Sequence, residues 1–335
     1  MEGEKRIVCV TGGAGFLASW LIMRLLKHGY FVRTTTRSNP EYREETTHLT
    51  SLPGASERLE IFEADLNAPN SFTSAIKGCM GVFHVAHPTI TDPQEPIESV
   101  IKTCVEGTLG ILQACVDSET VKRVVYTSSV AAVLFNKTAG YTGTADESSW
   151  TDIDFCGEMK IPATTYFIAK TATERAALLF AEENGLDLVT VLPSVVVGPF
   201  LIPNFPFSFS AALAPITGDA EQCKLLRNAM FVHIDDAVSA HIFLFENPEA
   251  KGRYICSSNS CSARELAHFL SSRYPQYQIS QCLVSGMEDE KPVQVYSRRL
   301  LDLGFKFKYG LEEMFDGALR CCKEKGFLVN SSIRD

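Results

Sequence analysis

The chain has 335 residues, 45% of them hydrophobic and 21% charged, which describes a folded globular protein large enough for one big domain or two modest ones. Its net charge of −9, with no basic run, argues against nucleic acid or an anionic membrane as the main partner.

A β-type apolar run over residues 6–10 predicts the first strand, and an amphipathic run over 16–28, stopped by Gly29, predicts the first helix. Between them stands Thr11-Gly12-Gly13-Ala14-Gly15-Phe16-Leu17-Ala18. The chain must turn sharply there. Gly12 can take backbone angles that a Cβ forbids, Gly15 lets a pyrophosphate approach the main chain, and Ala18 permits close helix–strand packing. The helix N-terminus, at Phe16 and Leu17, offers unpaired N–H groups and partial positive charge to phosphates. This placement turns a weak glycine pattern into a dinucleotide-binding expectation.

The pattern continues with a strand over 30–36, a helix around 41–52 ended by Pro53-Gly54, a strand over 59–63 leading to Asp65, and a short helix over 71–76. A strand over 81–85, a long helix around 97–118 and a strand over 123–127 ending in Ser128-Ser129 come next. A helix over 165–184 stops at Gly185, and a strand over 186–192 runs into Pro193. Such alternation predicts an α/β fold, a Rossmann-type doubly wound parallel sheet. Residues 199–218 are rich in Pro and Phe and uncharged, which suits a packed loop or a substrate wall but no central strand. A strand over 231–234, Asp235 as N-cap of a helix over 236–245, a strand over 253–256 and smaller helices such as 262–272 and 311–325 complete the reading. The boundaries suggest a dinucleotide domain at 1–192, to which 229–258 return. A smaller, mostly helical C-terminal substrate domain takes 193–228 and 259–328, with a tail at 329–335.

Eleven cysteines are an odd number without a CxxC pair, so all are read as reduced thiols in a reducing compartment. The early first strand leaves no room for a targeting segment, and no apolar run is read as long enough to cross a bilayer. A cytoplasmic protein is expected.

Tyr166 and Lys170 are spaced i, i+4, so they share a helix face. In a chain of this size the pair alone is a common accident. Its position carries more weight, because the preceding strand ends in Thr127-Ser128-Ser129 and ligands of open parallel sheets bind at the carboxyl ends of strands. Hydride transfer to a carbonyl leaves negative charge on oxygen, so a proton donor must lie within reach. Tyrosine ordinarily titrates near ~10. A neighbouring Lys170 ammonium is expected to lower that value, and Lys170 can also hold the nicotinamide ribose. Ser129 would polarise the carbonyl oxygen.

With these motifs in place (TGGAGFLA, TSS and YFIAK), the chain resembles the extended short-chain dehydrogenase/reductases. More narrowly it is similar to the plant dihydroflavonol reductase branch, with vestitone reductase and noscapine synthase-like enzymes equally near. Val82-Phe83-His84-Val85-Ala86, Val196-Val197-Gly198-Pro199-Phe200, Phe231-Val232-His233 and Gly252-Arg253-Tyr254-Ile255-Cys256 carry the narrower likeness. The resemblance spans roughly residues 6–328. It implies Ser129, Tyr166 and Lys170 as catalytic residues. It also implies adenine contacts from Asp65 and Leu66, adenosine contacts from Val85 and Ala86, and nicotinamide contacts from Pro193 and Val196, with Ser208 in the cofactor set. His87, Leu134, Phe167 and Met230 would face substrate.

No Asp or Glu follows the second strand before Glu41. Arg37, helped by Arg43, is therefore a candidate clamp for a 2′-phosphate, favouring NADP(H) over NAD(H); the plain alternative is a solvated surface arginine. Two departures stand out. Dihydroflavonol reductases carry Asn where this chain has Leu134 and Gln where it has Met230, so a less hydroxylated isoflavonoid or alkaloid substrate is expected. His84 and His87 form H-x-x-H with no third ligand nearby, so no metal is expected. The resulting expectation is an NADP(H)-dependent oxidoreductase of plant secondary metabolism, acting as a monomer or weak homodimer on a small molecule. Alternatives are an NAD(P)+-dependent alcohol or hemiacetal dehydrogenase of alkaloid biosynthesis, a nucleotide-sugar epimerase, and a non-catalytic NADP(H)-binding regulator. The epimerase is disfavoured because residues 199–218 offer no cation for a diphosphate.

Overall fold

Seven parallel strands form the central sheet of the computed structural model, which describes residues 5–37, 46–88, 96–135, 143–158, 163–279 and 293–328. They are β1 (Ile7–Val10), β2 (Phe31–Thr36), β3 (Leu59–Glu63), β4 (Gly81–His84), β5 (Arg123–Thr127), β7 (Leu188–Pro193) and β10 (Gly252–Cys256). The order is β3-β2-β1-β4-β5-β7-β10, with every neighbouring pair parallel. Every residue of β4, β5 and β7 is buried, as expected of strands covered on both faces. One apolar core packs the helices Phe16–Lys27 and Ile234–Glu246 on one face, and another packs Thr73–Ile76, Ile97–Asp117 and Thr164–Glu183 on the other. The strand order reverses beside β1, between β1 and β4, which opens a crevice at the carboxyl rim there.

Two smaller sheets stand apart. β8 (Val195–Val197), β9 (Asn228–His233) and β11 (Asn259–Ser262) form one, and β6 (Thr144–Ala145) pairs with β12 (Gln294–Val295) in the other. A separate core beneath β8 and β9 gathers Phe200, Phe209, Phe231, Leu266 and Phe315.

Several expectations need correction. Residues 199–218 hold two short helices, Phe207–Ala212 and Ala214–Thr217. Their prolines, Pro206 and Pro215, sit where a helix start has no use for the missing N–H, so proline content did not signal a loop. The N-cap of helix Ile234–Glu246 is His233, not Asp235: His233 Nδ1 accepts the Asp235 amide at 3.1 Å, while the Asp235 carboxylate takes the Trp20 indole N–H at 2.9 Å. Of the expected helix at 41–52, the described part holds Thr47–Thr50, then Ala55–Arg58 beyond Gly54; positions 41–45 and the tail at 329–335 lie outside the described residues.

Cys223 is disulfide-bonded, so the reading of eleven free thiols fails, and with it the inference of a reducing compartment. Pairing is decided by spatial approach, which sequence spacing does not show. The other nine cysteines among the described residues are free. Helix Ile97–Asp117 is, by length and composition, long and apolar enough to cross a bilayer, contrary to expectation. Here its apolar face, including Ile111, Leu112 and Cys115, packs into the core beneath the sheet.

Candidate active site

The glycine turn between β1 and helix Phe16–Lys27 shapes a cleft of about 700 Å³ at the carboxyl rim. Gly12 has φ +73°, a left-handed conformation that disfavours a side chain, and a Cβ there would come within 3.0 Å of Ala86 Cα. Gly15 is the N-cap of the helix, with no side-chain cap and no acidic residue in the first turn, so its leading N–H groups face the cleft uncontested. That is the donor set a pyrophosphate requires. Gly13, to which the sequence reading gave no role, packs against Thr34, where a Cβ would strike the hydroxyl.

Thr11 and Thr35 were missed as well, and they hold this turn. Thr35 accepts the Gly12 N–H on its hydroxyl at 3.1 Å and the Gly13 N–H on its carbonyl at 2.8 Å. Thr11 Oγ1 accepts from Val85 N at 3.1 Å and Ala86 N at 3.0 Å, so its own proton goes to His84 Nδ1 at 2.9 Å. His84 is therefore the Nε2–H tautomer and donates to Thr108 Oγ1 at 3.0 Å. Burial, with Lys170 adding to it, pushes the His84 pKa down to about 3, so the ring stays neutral. A polar residue adjacent to a glycine turn is a common pattern, and nothing in sequence separates these threonines from ordinary strand residues.

Most of the expected cofactor residues line the cleft: Gly12, Gly15, Phe16, Leu17, Arg37, Asp65, Leu66, Val85, Ala86, Val196 and Ser208; of the expected substrate residues, His87 lines it too. Arg37 follows β2 directly and is exposed on the rim. Arg43 lies outside the described residues. Asp65 turns inward on its own loop, accepting the Asn67 amide at 2.8 Å. Ser208 donates to the Val196 carbonyl at 2.9 Å, which pins the segment beginning at Pro206 over β8. Pro193 ends β7 beside Cys256, outside the cleft lining.

Ser129, Tyr166 and Lys170 come together. Ser129 stands two residues beyond β5 and accepts the Ala131 amide at 3.2 Å; it is near enough to Tyr166 to pull the phenol's pKa down. Lys170 Nζ donates to the Thr127 carbonyl at 3.0 Å and stands 6.0 Å from the centre of the Tyr166 ring. The expected effect of Lys170 on the phenol is corrected here. Burial raises the Tyr166 pKa above its ordinary value, and the opposing pull comes from Ser129, whose donated hydrogen bond favours the phenolate. Lys170 is itself pushed down to about 8 by burial, against the nearby Cys104 and Glu174, and its ammonium is committed to a carbonyl.

Around the phenol, the His87 ring lies 5.5 Å away centre to centre and the Phe167 ring 6.1 Å. His87 bonds the Pro88 carbonyl at 2.8 Å, which fixes the proton on Nδ1, and burial pushes its pKa to about 3. Its Nε2 lies 4.0 Å from the Cys104 thiol. Met230 is buried in an apolar cluster with Val130, Val133, Leu192 and Ile255, and the partly exposed Leu134 packs against it. Neither residue lines the glycine-turn cleft.

The chain is similar to known oxidoreductases over nearly its whole length. The chain is 51% identical over 332 residues to noscapine synthase SDR1 of Papaver somniferum, covering 98% of this chain and 95% of that protein. It is 48% identical over 326 residues to dihydroflavonol 4-reductase of Zea mays, covering 97% and 90%. The crystal structure of vestitone reductase from alfalfa (Medicago sativa) superposes with a TM-score of 0.83 at 44% identity, covering 96% of this chain and 99% of that one. The profile of the NAD dependent epimerase/dehydratase family matches residues 8–256. The chain belongs to that family and is an enzyme of the extended short-chain dehydrogenase/reductase type.

Proposed function

We propose that the chain is an NADP(H)-dependent oxidoreductase of plant secondary metabolism, moving hydride between nicotinamide and a carbonyl or secondary alcohol of a flavonoid-, isoflavonoid- or alkaloid-like substrate. The observation that carries this reading is the meeting of Ser129, Tyr166 and Lys170 at the end of β5, on the rim that also bears the glycine turn. A nicotinamide dinucleotide in the cleft supplies or accepts the hydride. The turn and the helix start would hold its pyrophosphate, Asp65, Leu66, Val85 and Ala86 its adenosine, Arg37 its 2′-phosphate, and Val196 and Ser208 the nicotinamide end, with Pro193 outside the cleft lining.

The protein's own part is the proton and the charge on oxygen. Burial keeps the Tyr166 phenol protonated near neutrality, the state needed to give a proton to a carbonyl oxygen as it becomes anionic. Ser129 donates a second hydrogen bond to that oxygen. Lys170, steadied on the Thr127 carbonyl, holds the ribose. Run backwards, Tyr166 accepts the proton of an alcohol or hemiacetal, so both directions are tested.

The expectation of a substrate less hydroxylated than a dihydroflavonol rests on the apolar residue at the partly exposed Leu134, where phenolic groups would lose their partners; Met230 is packed into the core cluster and does not itself face the cleft. The test is nicotinamide absorbance turnover with NADPH and NADP+ against a panel of flavonoid, isoflavonoid and alkaloid ketones and alcohols. Efficient turnover of a sparsely hydroxylated member is expected. Dihydroquercetin reduced faster than every other substrate would refute the substrate assignment. A flat panel with intact dinucleotide binding would favour a non-catalytic regulator.

A further inference from the structure

Glu174 is the only carboxylate among the described residues at 0% exposure. It lies one turn beyond Lys170 on helix Thr164–Glu183 and receives four donors: the Ser128 hydroxyl at 2.8 Å, the Thr190 hydroxyl at 2.7 Å, and Arg253 Nε and Nη2 at 3.0 and 3.1 Å. Four donors fill the capacity of a carboxylate. They come from the residue just past β5 and from β7 and β10, three neighbouring strands of the sheet. Ser128 directly precedes Ser129, and Thr127 on its other side receives Lys170. Arg253 uses Nη1 on the Glu147 and Ser149 carbonyls and stacks 3.6 Å from the centre of the Trp150 ring.

A buried ion pair of this kind often adds no net stability over apolar residues of the same volume. What it adds here is direction. We propose that Glu174 is a positioning residue: through Ser128 it fixes the strand end that carries Ser129 against the helix face that carries Tyr166 and Lys170, with Arg253 as its counter-charge. The inference rests on those three being the reacting groups. Small errors in such placement cost rate before they cost affinity.

Ser128→Ala and Thr190→Ala test it, because each removes one neutral hydroxyl from the same carboxylate and leaves the ion pair intact. Only Ser128 leads to Ser129. On the best substrate of the panel, Ser128→Ala is expected to lower kcat about tenfold or more, with KM for NADPH within about twofold, and Ser128→Thr to recover most of the loss. Thr190→Ala is expected to keep kcat within about twofold even where its thermal melt falls as far as that of Ser128→Ala. Equal kcat losses in the two alanine variants, or none in Ser128→Ala, overturn the proposal. Tyr166→Phe measured alongside separates the failures: an active phenylalanine variant removes the triad itself, whereas an inactive one with matched alanine variants removes only the role of Glu174.

Discussion

The proposed preference for NADP(H) turns on one side chain, Arg37. A strand that ends in an acid binds the two ribose hydroxyls of NAD(H), whereas one that ends in an arginine offers a planar, permanently charged fork to a 2′-phosphate. Arg37 occupies that end of β2, on the lip of the cleft. Replacing it with alanine should weaken NADPH binding about tenfold or more and leave NADH within about twofold, as measured by quenching of protein fluorescence. Equal losses for the two would reduce Arg37 to a surface residue. The positions of Arg37 at the rim, and of Tyr166, Lys170 and Ser129 near one another, were legible in the sequence because each is fixed by a short local signal at a strand end or on a helix face. Thr11, Thr35 and Glu174 were not, because their importance lies in partners from distant strands. The state of Tyr166 also escaped the sequence reading: proximity to a lysine was visible, but burial, which decides the sign, was not.

At the scale of elements, most of the β-strand and helix alternation up to Pro193 could be read with boundary errors of a residue or two, since each element carries its own apolar period and stop; the helix expected at 41–52 and the unforeseen helix Ile153–Glu158 are the exceptions. β3 and β5 fall where they were expected, at Leu59–Glu63 and Arg123–Thr127. The region beyond Pro193 was harder. β8 has three residues there and β12 two, as does β6 earlier in the chain, too short for any period to register. The turn between β1 and its helix is the element we propose holds the dinucleotide, and Gly12 is its least replaceable part. Gly12→Ala must adopt a left-handed backbone and push against Ala86, so it should cost about 1–3 kcal/mol in chemical denaturation and impair dinucleotide binding. Wild-type stability and affinity in that variant would show that the turn tolerates a side chain.

Across the whole molecule, buried imidazoles make stability depend on pH. His84 and His241 are fully buried, each with both ring nitrogens engaged, and burial lowers their pKa values to about 3 and about 4 from 6.5. As pH falls below the unfolded value, the unfolded chain takes up protons that the folded chain refuses, so stability is lost on acidification through that window. The loss should approach about 1.4 kcal/mol per histidine per pH unit below pH 6.5, and urea denaturation at pH 7, 6 and 5 measures it. A flat profile would mean that the rings titrate in the folded state. The whole fold serves one arrangement at the rim of its sheet, and the most direct measurement of it is the turnover and dinucleotide affinity of Tyr166→Phe, side by side. The expected result is a loss of kcat of about 100-fold or more with NADPH bound as tightly as by the wild type. A phenylalanine enzyme that turns over at a near-normal rate would contradict the assignment of proton transfer to this tyrosine.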